Sequence, residues 1–179
     1  MNRFLLIIIA SLTYSTVSIA ACNSKYQTCE KTTLGLIELK DREDSGDDYS
    51  HILLNGREIY KAKADYMVID TGGSDGVFKN KKYLITKATI SYVSDDACYS
   101  NKIVGHCSMN VVLDLTSGKP VISNEFYADY GPSHITWVSW GKANSIIVID
   151  DYLRFKYANG HVEQVTKVKD AAGTSSEGK

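Results

Sequence analysis

Short apolar segments, each closed by a turn signal, recur along most of this chain and restrict what it can fold into. The clearest example is His51–Tyr60, in which Asn55-Gly56 separates two apolar runs. Both central residues of a type I′ turn need positive φ, which asparagine and glycine tolerate, so this segment predicts a β-hairpin. Asn159-Gly160 repeats the signal near the other end of the sequence.

The spacing of these segments predicts an all-β fold. After the first twenty residues, no ten-residue run shows the apolar period and the caps of an amphipathic helix. Strands are predicted at 34–39, 51–54, 57–60, 65–70, 83–93, 109–115, 121–122, 134–140, 145–150, 152–157 and 161–165. Strands of this length, joined by turns every eight to a dozen residues, favour an antiparallel meander. It would be arranged as a sandwich or as a small propeller-like sheet array.

Two segments are less regular than the others. In the segment 134–140, the alternation places Ile135, Val138 and the two indoles on competing faces, so its buried face is left undecided. The segment 41–48 is acidic and contains a glycine, and it lacks the spacing of a calcium-binding loop. We therefore predict a solvated loop there.

Residues 1–20 carry the three parts of a secretory signal peptide. Arg3 supplies the positive charge, Phe4–Ala10 forms an apolar core, and Ser18–Ala21 offers small residues for cleavage. Such a leader is too short for a membrane span. We expect export to the periplasm, a single β domain over 21–168, and a flexible tail over 169–179, where lysine, glycine, serine and glutamate are frequent.

The four cysteines bear on the compartment. Pairing Cys22 with Cys29 and Cys98 with Cys107 leaves no free thiol in an oxidising compartment, although two other pairings stay open. Ile19-Ala-Ala-Cys22 also fits a bacterial lipoprotein signal, in which Cys22 would be acylated. Acylation would leave Cys29 without its local partner, so cysteine parity favours a soluble periplasmic protein. Membrane attachment is expected only if Cys22 is acylated.

Charge and composition exclude several classes of function. The chain has a formal net charge of −1 and shows no basic face in its sequence, so we expect no nucleic-acid partner. No two of its four histidines have ligand spacing on one predicted element, and we expect neither a metal nor another cofactor.

One tripeptide is similar to a catalytic motif. Val68-Ile-Asp70-Thr-Gly72 resembles the active-site turn of aspartic proteases, whose chemistry needs two carboxylates that share a proton. The chain has one copy, so two chains would have to meet at a symmetric interface. A hydrolase that uses Asp70 is therefore our third hypothesis, and we expect a protein that is not an enzyme.

The absence of a catalytic pattern favours binding, and two loops are the candidates. The first, 94–106, is bounded by cysteines, and a cross-link would lower the ordering cost when a partner docks. The second, 126–134, carries tyrosines, a proline and a serine-histidine pair, a composition frequent at protein interfaces. The predicted partner-binding residues are Asp95, Asp96, Tyr127, Tyr130, Ser133 and His134.

The order of features resembles that of small periplasmic all-β immunity proteins that accompany type VI secretion peptidoglycan-amidase effectors. The resemblance rests on the leader, the cysteine-bounded loop from Tyr92 to Cys107, the run Val111-Val-Leu-Asp-Leu115, Lys119-Pro120, and a closing Ile-Val-Ile strand with its Asn-Gly hairpin. It implies a loop that enters the active-site groove of a toxin. In that family a serine engages the catalytic histidine of the toxin, and Ser133 would be its analogue.

These observations support two functions of different kinds. The first is a periplasmic immunity protein or inhibitor that blocks a toxin or cell-wall hydrolase by occluding its active site. The alternative is an envelope structural or assembly lipoprotein, anchored at Cys22, that recognises peptidoglycan or another envelope component.

Overall fold

The computed structural model describes residues 28–69, 77–94, 107–127 and 134–167. The predicted leader, Asp70 and the predicted tail lie outside these residues, so the statements about them stay predictions. Of the described residues 64% are in strands and 4% in a helix, which confirms the all-β fold class. Within the described ranges, no helix has the length and apolarity needed to cross a membrane.

Thirteen strands and one short helix make up the described part of the chain. In chain order they are β1 (Thr28–Thr32), β2 (Gly35–Lys40), α1 (Arg42–Ser45), β3 (Ser50–Leu54), β4 (Arg57–Ala62), β5 (Ala64–Ile69), β6 (Val77–Lys79), β7 (Ile85–Ser94), β8 (Ser108–Asp114), β9 (Val121–Ile122), β10 (Ile135–Ser139), β11 (Ser145–Ile149), β12 (Leu153–Ala158) and β13 (His161–Lys167).

The first nine strands form one nearly closed mixed sheet, sheet A. Strands β1 to β4 are an antiparallel meander, and β8 pairs antiparallel with β7 on one side and with β9 on the other. Both β5 and β6 also pair with β7, at successive positions along it. One pairing departs from the antiparallel pattern, because β1 runs parallel to β7 where Thr32 meets Ile85.

The last four strands form sheet B, an antiparallel meander in the order β10-β11-β12-β13. The turn between β12 and β13 is the predicted Asn159-Gly160 hairpin, in which both residues have positive φ. Asn55 and Gly56 have the same conformation between β3 and β4. The two Asn-Gly hairpins predicted from the sequence are therefore confirmed.

Strand β8 supplies both cores, because its side chains alternate between the two faces of sheet A. Val111 and Leu113 point into the first core, which is enclosed by sheet A. Val112 points the other way, into a second core shared with sheet B. All three side chains are fully buried, and full burial of one such side chain is worth about 1.5–3 kcal/mol. The two sheets thus share β8 as a common wall.

A buried ion pair within sheet A also makes hydrogen bonds to sheet B and to the turn after β10. The Nζ of Lys87 on β7 donates to the carbonyl oxygen of Gly141 at 3.0 Å and lies 3.6 Å from Oδ2 of Asp114 on β8. The hydroxyl of Tyr157 on β12 donates to the same Oδ2 at 2.8 Å. Lys87 is only 4% exposed. Two strands of sheet A are therefore bonded to β12 and to the turn after β10.

The segment predicted as a solvated acidic loop differs in detail from that prediction. Arg42–Ser45 forms one turn of helix, and Gly46 closes it with a φ of 78°. The prediction of a loop is wrong for these four residues. The turn forms because the Ser45 amide donates to the Asp41 carbonyl at 2.9 Å and the Ser45 hydroxyl to the Arg42 carbonyl at 2.9 Å. None of its residues is buried.

Two cysteines, Cys29 and Cys107, are described. Each of them takes part in a disulfide, and neither is a free thiol. Cys22 and Cys98 lie outside the described residues. The predicted connectivity, Cys22 with Cys29 and Cys98 with Cys107, therefore stays a prediction.

Two carboxylates should make the fold sensitive to acid. The pKa of Asp47 is lowered by its hydrogen bonds with His51 and with Ser45. Burial raises the pKa of Asp114, but hydrogen bonds from Thr116 and Tyr157 and the charge of Lys87 outweigh burial, so this pKa is lowered as well. A lowered folded-state pKa stabilises the fold above the unfolded value, near 3.8 for both. This stability is lost as the pH falls further.

We therefore expect the melting temperature to be nearly constant from pH 7 to about pH 5 and to fall steeply below about pH 4. Thermal melts followed by circular dichroism across this range are the measurement. Asp114→Asn should flatten the fall, whereas Asp48→Asn, which changes an exposed carboxylate that makes no described hydrogen bond, should not. Equal curves for both variants and the wild type would contradict this assignment.

Candidate functional site

The turn between β6 and β7 is held rigidly by its own hydrogen bonds. The side-chain Oδ1 of Asn80 accepts from the amide of Lys82 at 2.8 Å and from that of Leu84 at 3.2 Å. The Asn80 amide donates to the Leu84 carbonyl at 3.0 Å, and the Tyr83 amide donates to the Asn80 carbonyl at 2.8 Å. One asparagine thus fixes a five-residue turn, which we call the 80–84 turn.

Tyr83 has an unusual conformation within this turn. Its φ is 61°, in the left-handed region, and its side chain is 81% exposed. The other described non-glycine residues with positive φ are all asparagine or aspartate, which tolerate that region. A bulky residue there costs about 1–3 kcal/mol, and such strain is concentrated at functional sites. The turn therefore presents an aromatic ring to solvent at an energetic cost.

Three lysines lie within four residues of Tyr83 in the sequence. Lys79, Lys81 and Lys82 are exposed, and none of them forms an ion pair with a described residue. Lys81 and Lys82 also line a surface depression of about 450 Å³ together with Thr33. The Oγ1 of Thr33 is the one buried side-chain oxygen or nitrogen in the described part of the chain that has no hydrogen-bond partner. The turn is thus a cationic, aromatic projection beside an unsatisfied hydroxyl.

A groove lies between β10 and β6, the strand that precedes the 80–84 turn. Val77–Lys79 form one wall and Trp137–Trp140 form the other, and they enclose about 490 Å³. Phe78 and Trp137 are each 45% exposed, which is unusual for side chains of that size. We call this space the β6–β10 groove. It joins the two sheets of the molecule at their edges.

A β-bulge explains how Trp137 reaches the groove. In the β10–β11 register, Ile135 is opposite Ile149 but Trp137 is opposite Val148, so Thr136 is the extra residue. The bulge allows both Ile135 and Val138 to face the second core, and Trp137 is turned to solvent. This resolves the buried face of the segment that simple alternation leaves open.

The groove continues into a smaller cavity of about 230 Å³. Phe78 and Trp140 line both spaces, and Lys87, Thr116, Gly141 and Lys142 complete the cavity. No carboxylate lines either space among the described residues. Asp114, which pairs with Lys87, belongs to neither lining. The combined surface is aromatic and positively charged.

A polar cluster connects three segments of sheet A. The hydroxyls of Tyr60 and Tyr92 lie 2.7 Å apart, and both donate to Oε1 of Glu125. Burial raises the pKa of each tyrosine, and the hydrogen bonds and charge of Glu125 raise it further. Both phenols therefore stay protonated and remain donors. The cluster bonds β4, β7 and the segment after β9 to one another, a structural role.

Two of the predicted partner-binding residues are described. Tyr127 is half-buried and packs against the first core. His134 is 77% exposed in its side chain, and its Nδ1 lies 3.0 Å from Oδ1 of Asp150. Asp95, Asp96, Tyr130 and Ser133 lie outside the described residues. Neither Tyr127 nor His134 lines the β6–β10 groove or belongs to the 80–84 turn, and their binding role stays a prediction.

The surface built on β6 was not predicted from the sequence. Its signal is the run Lys79-Asn-Lys-Lys-Tyr83, in which three cations and a tyrosine surround a turn-forming asparagine. The run is short, so a net charge of −1 for the whole chain conceals it. Within the described ranges, no three metal-binding side chains are grouped.

Comparison with known proteins gives no identification: no protein-family model, no curated protein and no solved structure matches this chain.

Proposed function

We propose that this chain is a non-enzymatic binding protein that neutralises a toxin or cell-wall hydrolase by occluding its active site. The proposal keeps the function expected from the sequence and moves the contact surface to the 80–84 turn and the β6–β10 groove. The observation that carries it is Tyr83, an exposed aromatic side chain held in a strained conformation by a rigid turn.

Preorganisation of the 80–84 turn supports this proposal. A projection that is already ordered pays little conformational entropy when it enters a cleft. Tyrosine is among the residues that contribute most to binding at protein interfaces, and it does so when fully enclosed by the partner. The lysines beside it would speed the approach of an acidic partner and suppress binding to basic ones. These features support a protein partner rather than a small substrate.

The test uses the product of the reading frame next to the gene for this chain, as the hydrolase, and purified peptidoglycan as its substrate. We expect the exported chain to stop peptidoglycan cleavage when it is present in equal amount. Tyr83→Asn should weaken the complex by at least about tenfold, because it removes the ring while asparagine keeps the left-handed backbone. Affinity is measured by calorimetry and cleavage by release of soluble fragments.

The matched control is Tyr66→Asn, since Tyr66 is a 51% exposed tyrosine on β5. It should bind and inhibit like the wild type. Equal losses in both variants, or no loss in either, would contradict the assignment of the 80–84 turn. If the chain binds peptidoglycan and not the hydrolase, the envelope-lipoprotein alternative would replace this proposal.

A further inference from the structure

We propose that the β6–β10 groove binds an extended, acidic segment of the partner protein, which adds as a strand to the outer edge of β10. The inference rests on the proposed binding function and deepens it, because it names the chemistry of the segment that the partner contributes.

Each of the two strands that line the groove has one described neighbour in its sheet. Strand β10 is the outermost strand of sheet B and pairs only with β11 among the described strands. Strand β6 pairs only with β7 in the same part of the chain. The outer row of amide and carbonyl groups on an edge strand is a template for one more strand. Adding an extended peptide to such an edge is a recurring mode of peptide recognition.

Aromatic side chains line both walls of the groove. Phe78 and Trp137 expose nearly half of their surface on opposite sides of the groove, and Trp140 lies at its junction with the smaller cavity. Successive side chains of an added strand would point alternately into and out of the groove. An apolar side chain of the segment would therefore fit between Phe78 and Trp137. Covering these rings removes apolar surface from water.

The charges of the groove indicate which residues would alternate with the apolar ones in the added strand. Lys79 in the groove lining and Lys142 in the lining of the smaller cavity have no carboxylate partner among the described residues. Lys87, which also lines the smaller cavity, is paired with Asp114 and adds little net charge. A strand that alternates apolar and acidic residues would satisfy both the rings and the two free lysines. A basic strand would meet two like charges.

The probe is a capped nine-residue peptide in which valine and glutamate alternate, and its counterpart alternates valine and lysine. Trp137 and Trp140 are the only tryptophans of the chain, so intrinsic fluorescence reports directly on this groove. We expect the glutamate peptide to bind at least about tenfold more tightly than the lysine peptide. Methylation of alternate backbone amides in the glutamate peptide should abolish binding, because an added strand needs its hydrogen bonds.

Charge reversal makes the test reciprocal. The double variant Lys79→Glu/Lys142→Glu should prefer the lysine peptide, whereas Lys31→Glu/Lys119→Glu, at exposed positions outside the groove linings, should keep the wild-type preference. An unchanged preference in the groove variant, or binding of the methylated peptide, would overturn the inference. So would a failure of the wild type to bind the glutamate peptide.

The two proposals can fail separately. If Tyr83→Asn abolishes inhibition of the hydrolase while the peptide preference is absent, only the strand-addition inference is wrong. If the peptides behave as expected but the product of the neighbouring reading frame is neither bound nor inhibited, the strand-addition inference is supported and the proposed function is wrong.

Discussion

Replacing Phe126 with alanine is expected to lower the free energy of unfolding by about 3–5 kcal/mol, among the largest single losses available in this fold. The Phe126 side chain is 4% exposed, and its ring centroid lies 5.2 Å from that of Phe155 on β12. Its backbone exchanges two hydrogen bonds with Asn110 of β8. One residue is therefore bonded to sheet A and packed against sheet B, so its loss leaves a cavity between them.

The measurement is urea unfolding followed by both tryptophan fluorescence and far-ultraviolet circular dichroism. Since Trp137 and Trp140 lie on or beside β10, fluorescence follows sheet B, whereas circular dichroism follows both sheets. Phe126→Leu, which keeps most of the volume, should cost much less, about 1–1.5 kcal/mol. A loss below about 1 kcal/mol for Phe126→Ala would contradict the view that this ring joins the two sheets.

The second large effect is expected at Asp114. Asp114→Ala should destabilise the protein by about 3–5 kcal/mol, because it leaves the ammonium of Lys87 buried without its carboxylate. The side chains of Lys87 and Asp114 are only 5% and 14% exposed. The hydroxyl of Tyr157 would lose its acceptor in the same step, which adds to the cost. Chemical denaturation at pH 7 is the measurement.

A double-mutant cycle separates the ion pair from the rest. Lys87→Met removes the charge and keeps much of the side-chain volume, so no buried cation is left that would need the Asp114 carboxylate. We expect the double variant Lys87→Met/Asp114→Ala to lose about 1–3 kcal/mol less than the sum of the two single variants. Additive losses would show that the two residues do not act as a pair.

Local turn chemistry explains why so many strands could be predicted from the sequence. Asn55-Gly56 and Asn159-Gly160 have the positive φ values that their residue types favour, so the flanking strands followed from short-range preferences alone. The long strand β7 and its partner β8 were also evident, because β-branched and apolar residues fill both.

Tertiary contacts decide the features that were missed. Strand β1 is polar in sequence and forms because it pairs with β2 and meets β7 in parallel, a contact between residues far apart in the chain. Strand β6 has three residues, too few for a period to be read. The bulge at Thr136 reverses the alternation of β10 locally, so no two-residue period could assign Trp137 to the surface.

The candidate site was missed for the same kind of reason. Cysteines bound 94–106 and aromatic residues are concentrated in 126–134, so the binding loops were predicted there. The groove depends on two edge strands, β6 and β10, that lie more than fifty residues apart in sequence. Its charge depends on lysines that pair with no carboxylate in the described part of the chain, which only the folded arrangement reveals.

The decisive measurement is peptidoglycan cleavage by the product of the neighbouring reading frame, the proposed hydrolase, as increasing amounts of this chain are added. The proposed function predicts that cleavage falls to zero at one chain per hydrolase, and that the chain alone releases no fragments. Undiminished cleavage in a large excess of the chain would contradict it, as would turnover of peptidoglycan by the chain itself.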